Sequence, residues 1–172
     1  MVELEKQNLK MNTSIYKRKL KILKKELGKD TPIDHVGSTV LPNMYGKNII
    51  DILVGARNIE ELEIYANIIK KIGFYPGKNN QGPYRFFANT KEETKKGDIH
   101  IHLALIDTDR YKDFLILKTY LLNNREERKK YSDLKKELIR DGNNLREDYK
   151  KKKALYVSNL LDRARKEVLW YI

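Results

Sequence analysis

The sequence predicts an α+β protein, with a mixed β-sheet of four to five strands flanked by helices and a C-terminal helical region. Three observations carry that reading. A lysine-rich amphipathic segment lies near the start of the chain. Short β-branched or continuously apolar runs then alternate with one helical segment as far as about residue 110. From Thr108 onward the pattern is helical almost throughout.

Ile15, Leu20, Ile22, Leu23 and Leu27 form the apolar set of a helix over 14–27. Gly28 stops it, and Asn12, Thr13 and Ser14 are alternative caps. Residues 32–36 read as a short strand, broken by Gly37-Ser38-Thr39, and Pro42-Asn43 marks a turn. The run Asn-Ile-Ile-Asp-Ile-Leu-Val-Gly over 48–55 is almost continuously apolar around one carboxylate, the pattern of a central strand. Asn58 caps the next helix, Glu60 and Glu61 suit its first turn, and Gly73 ends it. A Gly/Asn-rich loop follows over 76–82, then a strand over 84–88, a charged hairpin-type connection over 91–97 and a strong strand over 98–106. Three helices complete the chain, separated near Asn123-Asn124 and at 141–144, the last running to Trp170. With no internal repeat or low-complexity linker, the expected organisation is a single domain over 1–172, its core over about 30–110 and its C-terminal helices over about 109–172.

Lys plus Arg number 36 and Asp plus Glu 24, a net charge of +12. The surplus sits in the flanks: +5 in residues 1–30, zero in 31–110 and +7 in 111–172. Such a basic surface suits phosphorylated small molecules or polyanions, and it equally suits well-solvated helices. There is no cysteine, which excludes disulfides, zinc fingers, iron–sulfur sites and thiol nucleophiles. No apolar run approaches the ~20 residues of a spanning helix. The first residues lack the basic-then-apolar pattern of a secretory signal. The expectation is a cytoplasmic protein with no membrane partner.

The most informative segment is His35-Val-Gly-Ser-Thr39, followed by Asp51. A strand ending in Gly37-Ser38 puts flexible backbone and a hydroxyl at the start of the next element, where N–H groups can hold phosphate oxygens. Asp51 lies within an apolar strand, and a buried carboxylate needs a donor, a metal or a ligand. His100 and His102 are two apart on one strand and share a face with Asp98. If that strand neighbours the Asp51 strand, two imidazoles and a carboxylate converge. Imidazole serves as a metal ligand, favouring zinc, manganese or nickel over magnesium, or as a general base. Lys47 and Arg85 are candidates to neutralise phosphates. Tyr131 with Lys135, and Tyr149 with Lys153, are four apart, so each pair shares a helical face that can wall a cleft, its tyrosine stacking on a base.

His35-Val-Gly-Ser-Thr39, then Leu41-Pro42, Lys47 and Ile49-Ile-Asp-Ile-Leu-Val54, resemble the GrpB-like family. The likeness continues through His100-Ile-His102, Tyr120-Leu121, Tyr131, Leu134 and Lys135, and Tyr149 with Lys153, spanning about residues 30–155. The resemblance implies the nucleotidyltransferase (polymerase-beta-like) fold. It implies a nucleoside triphosphate held at Gly37, Ser38 and Thr39, and a divalent metal, Mg or Mn, held by acidic groups. Where the superfamily pattern has Asp-x-Asp, this chain has Asp51-Ile52-Leu53. It also has Asn43 where Gly is usual, Asn48 where Pro is usual, and Lys118-Thr119 where Arg-Asp is usual. The expected catalytic and metal-binding set is Asp51, His100 and His102, with His35 as a further ligand and Zn or Ni admitted through the imidazoles. The expected nucleotide- and phosphate-binding set is Gly37, Ser38, Thr39, Lys47, Arg85, Tyr131, Lys135, Tyr149 and Lys153.

Three functions stay open at this level. One is nucleotidyl transfer from a nucleoside triphosphate to a hydroxyl-type acceptor. The second is a non-catalytic nucleotide- or phosphate-binding module of the same fold, which the single carboxylate of the 48–55 strand favours. The third is an RNA-associated protein that uses the basic helices, with nucleic acid a less favoured partner than a phosphorylated small molecule.

Overall fold

The computed structural model describes residues 4–78, 80, 82–89, 98–140 and 146–168. The chain opens with β1 (Glu5–Lys6) and α1 (Leu9–Leu27). The helix starts ahead of the predicted residue 14 because Asn8 supplies the cap, its side-chain oxygen accepting from Met11 N–H at 3.0 Å. Asn12 is instead buried and donates to the Gln7 side chain at 3.2 Å. Next come β2 (Ile33–Val36), one turn of 3-10 helix (Ser38–Val40), β3 (Tyr45–Gly46), β4 (Ile50–Ala56) and α2 (Ile59–Lys71). Asn58 caps α2 as expected, accepting from Glu61 N–H at 2.8 Å. Then follow β5 (Tyr75–Pro76), β6 (Tyr84–Ala88), β7 (Ile99–Leu105), α3 (Asp109–Asn123), α4 (Arg125–Arg140) and α5 (Arg146–Val168).

The main sheet has five strands in the order β2-β4-β7-β6-β5. β4 and β7 run parallel, and every other pairing is antiparallel, so the sheet is mixed as predicted. β1 and β3 form a separate antiparallel ribbon. That ribbon and β5 were not anticipated, because two-residue strands carry no readable periodicity. The connection at 91–97, the break at 141–144 and Trp170 lie outside the described residues.

Strand alternation divides the sheet into two faces. Ile50, Ile52, Val54 and Ala56 of β4, with Ile99, Ile101 and Leu103 of β7, pack against Leu23 and Leu27 of α1 and Leu62 and Ile69 of α2. Each such valine, leucine or isoleucine side chain contributes roughly 1.5–3 kcal/mol when fully buried. On the opposite face Val36, Leu53 and Ala104 pack under Tyr111 of α3. Leu41, Met44, Tyr120, Leu121, Leu160 and Ala164 then tie α3 to α5. No helix among the described residues is long and apolar enough to cross a membrane.

Candidate functional site

The parallel register of β4 and β7 sets Asp51 opposite His100 and Leu53 opposite His102. Alternation then turns Asp51, His100 and His102 to the α3 side of the sheet. His100 Nδ1 and His102 Nε2 each lie 3.3 Å from Asp51 Oδ1. One ligand atom from each residue falls within 4.8 Å of the others. The cluster is lined but not sealed: the side chains are 25% (His100), 12% (His102) and 23% (Asp51) exposed. Burial by itself pushes the Asp51 carboxyl up; the hydrogen bonds and charge of His100 and His102 outweigh it and hold the group well below the usual carboxylate range.

Gly37 closes the other side of the carboxylate. Its φ of +76° belongs to glycine, and a Cβ at this position would stand 2.3 Å from Asp51 Oδ2. One carboxylate oxygen therefore serves the histidines while the other abuts the turn after β2. Ser38 follows, its hydroxyl lying against Gly46, where a Cβ would stand 2.7 Å from it.

Three lysines gather towards α4 and α5. Lys135 is 2% exposed, donates to the Tyr45 carbonyl at 3.0 Å and lies 4.4 Å from the centre of the Tyr131 ring. Burial, with the charges of Lys153 and Lys47, pushes its pKa down to about 7, and Asp51 partly offsets them. Lys153 is held up, first by Tyr131 and also by Tyr149 and Asp51. Lys47 Nζ lies 4.8 Å over the Tyr149 ring. Asp51 acts electrostatically on both Lys135 and Lys153.

Several expected participants are placed elsewhere. His35 pairs in register with Ile52, so it projects from the opposite sheet face to Asp51. It is buried, stacked on Tyr16 with ring centres 4.7 Å apart, and its Nε2 is 3.0 Å from Thr39 Oγ1. Burial pushes its pKa down to about 4, Lys118 adding to the effect and Asp51 and Asp34 opposing it. It is not a ligand in this cluster, and the Thr39 hydroxyl is engaged with it. Arg85 pairs in register with Leu103, so it too lies on the face away from Asp51. Its guanidinium bonds Glu63 and donates to the carbonyls of Gly82 at 2.7 Å and Tyr84 at 2.9 Å. Asp98 precedes β7 and accepts from Asn89 rather than joining the histidines. Tyr131 stacks on Tyr156 with ring centres 5.7 Å apart, and Tyr149 packs against Leu138, so both rings serve the protein interior instead of a base. Leu53, at the place of a second carboxylate, is an apolar core residue.

Sequence reasoning missed four neighbours of the cluster. The Tyr84 hydroxyl is 2.7 Å from His102 Nδ1. Phe86 meets His100 edge-on at 4.9 Å, Phe114 lies 4.6 Å from His102, and the Arg110 guanidinium covers the Tyr84 ring at 4.7 Å. Alternation along 84–88 puts Tyr84 and Phe86 on one face, but only the pairing of Phe86 with His102 shows which face it is.

A solved structure shares this arrangement of elements. The crystal structure of the conserved protein GrpB from Enterococcus faecalis has the same fold, with a TM-score of 0.83 at 22% identity over 97% of this chain and 99% of that one. The glutamate-rich protein GrpB of Alkalihalophilus pseudofirmus is 29% identical over 133 residues, 76% of each chain. The UPF0157 protein YqkA of Bacillus subtilis is 33% identical over 107 residues, which take in 62% of this chain and 30% of that protein, so this chain spans under a third of its length. A family model described as GrpB protein matches residues 2–163. With nearly its whole length matched, the chain belongs to the GrpB family.

Proposed function

We propose that the protein is a metal-dependent nucleotidyltransferase, binding a nucleoside triphosphate at the Asp51 cluster and transferring the nucleotidyl group to a hydroxyl acceptor. One observation carries the reading. Asp51, His100 and His102 converge in a partly open site, with the Gly37 turn against the carboxylate and Lys135 and Lys153 in its electrostatic reach. The donor set fits a divalent ion, because one carboxylate oxygen and two imidazole nitrogens make a borderline site suited to manganese, zinc or nickel more than to magnesium. Bound there, such an ion supplies Lewis acidity and neutralises phosphate charge.

The protein's own groups do the rest. Glycine at 37 lets the backbone come close to the carboxylate without a side chain in the way. Lys47, Lys135 and Lys153 offset the charge of the phosphate chain. In the transfer, the acceptor oxygen bonds to the α-phosphorus, the bond from that phosphorus to the bridging oxygen breaks, and pyrophosphate leaves with the electron pair. The hydroxyl proton passes to solvent.

A second reading, a phosphate-binding module without catalysis, is favoured by Leu53, which removes the second acidic ligand that two-metal transfer uses. Calorimetric titration with ATP separates the two. The transferase reading expects binding that needs manganese, fails in Asp51→Ala and survives in Arg85→Ala. It also expects label from α-labelled ATP to pass into a small-molecule extract with release of pyrophosphate. Equal binding in the presence of a chelator, with no pyrophosphate released, establishes the module instead.

A further inference from the structure

We propose that Tyr84 is the positioning residue of His102, its hydroxyl serving both ring tautomers that a metal site here must pass between. The inference rests on the metal reading above. Among the described residues His102 makes two polar contacts: Nδ1 to the Tyr84 hydroxyl at 2.7 Å and Nε2 to Asp51 Oδ1 at 3.3 Å. Asp51 is ionised and only accepts. Without an ion, Nε2 therefore carries the hydrogen, Nδ1 accepts, and Tyr84 donates. Were Nε2 to hold an ion, the hydrogen would sit on Nδ1 and Tyr84 would accept. A carbonyl in place of the hydroxyl would serve only the second state, and a guanidinium only the first. A hydroxyl serves both by rotating about its C–O bond.

The surroundings hold this pair in place. Arg110 covers the Tyr84 ring at 4.7 Å, and Phe114 lies 4.6 Å from the His102 ring. Tyr84 is half-buried on β6, facing the same side as His102, so the contact survives only in the observed strand register.

Tyr84→Phe removes the oxygen, which Arg110 also hydrogen-bonds, and keeps the ring beneath Arg110. Titration with zinc chloride, followed by calorimetry, is expected to show affinity reduced about 10- to 100-fold, the range for loss of such a supporting contact. Nitrogen chemical shifts of His102 give a readout that packing alone does not move. The wild-type protein is expected to show the Nε2–H tautomer free of metal and the Nδ1–H tautomer with zinc. Unchanged zinc affinity in Tyr84→Phe, while His102→Ala loses it, overturns the proposal. So does an Nδ1–H tautomer in the metal-free wild type, a measurement that stands even if the variant does not fold. If Asp51→Ala and His102→Ala both bind zinc as the wild type does, the metal reading has failed and this inference falls with it.

Discussion

Replacing Gly37 by alanine tests whether the turn after β2 and the Asp51 carboxylate are built against each other. Gly37 has φ +76° and ψ −165°, a conformation that costs an L-residue on the order of 1–3 kcal/mol. The added Cβ would stand 2.3 Å from Asp51 Oδ2, 3.0 Å from its Cγ and 3.1 Å from its Cβ, where relaxed carbon contacts lie at about 3.5–4.0 Å. The carboxylate cannot simply swing aside, because Oδ1 is bonded to both imidazoles. Overpacking of that kind adds roughly 1–3 kcal/mol. The expected total is about 3 kcal/mol, a fall in Tm of roughly 6–12 °C for a chain of this size, read by scanning calorimetry. The same substitution made in Asp51→Ala meets neither Oδ2 nor Cγ, so its cost there should drop by about 1–2 kcal/mol. Equal costs in the two backgrounds would refute the contact, and with it the idea that glycine is required here for the carboxylate's sake.

Two further outcomes follow from buried bases. The folded-state pKa of His35, about 4, lies below its unfolded value, so its contribution to stability is full above about pH 6.5 and is lost as the pH falls towards 4. Between pH 6.5 and 5 the loss is about 2 kcal/mol, and urea denaturation should show it disappear in His35→Gln; an unaltered pH dependence in that variant would show that another group is responsible. Lys135→Met should raise Tm by roughly 2–6 °C at neutral pH, because it removes a buried ammonium whose pKa burial has pushed down to about 7. It should also weaken manganese–ATP binding tenfold or more, and unchanged affinity would remove Lys135 from the phosphate site.

Much of the site was legible, and what was not turns on strand parity. Asp51 stands out as the one carboxylate in an apolar run, and His-x-His must share a face. That the two strands lie side by side and parallel is a property of chain topology, for which no local pattern exists. His35 and Arg85 were assigned to the site because they are close to it in sequence or chemistry. Each is on the wrong face by one step of alternation, a step set by pairing with Ile52 and Leu103. The helical pairs Tyr131–Lys135 and Tyr149–Lys153 are visible as spacing. The burial of Tyr131, Lys135 and Tyr149 was not, because it depends on how α4 and α5 pack over the loop that carries Lys47. Asn8 as the α1 cap was hidden behind three later residues with equal capping chemistry.

The place of β7 in the sheet has a consequence for biosynthesis. It is the last of the five strands to leave the ribosome, yet it lies in the middle, between β4 and β6. A nascent chain that ends before Ile99 holds two half-sheets, each with an open edge and apolar side chains waiting for a partner. In the finished sheet this one strand joins the two halves and carries both imidazoles against the carboxylate. Completion of the sheet and assembly of the Asp51, His100 and His102 cluster thus depend on the same strand.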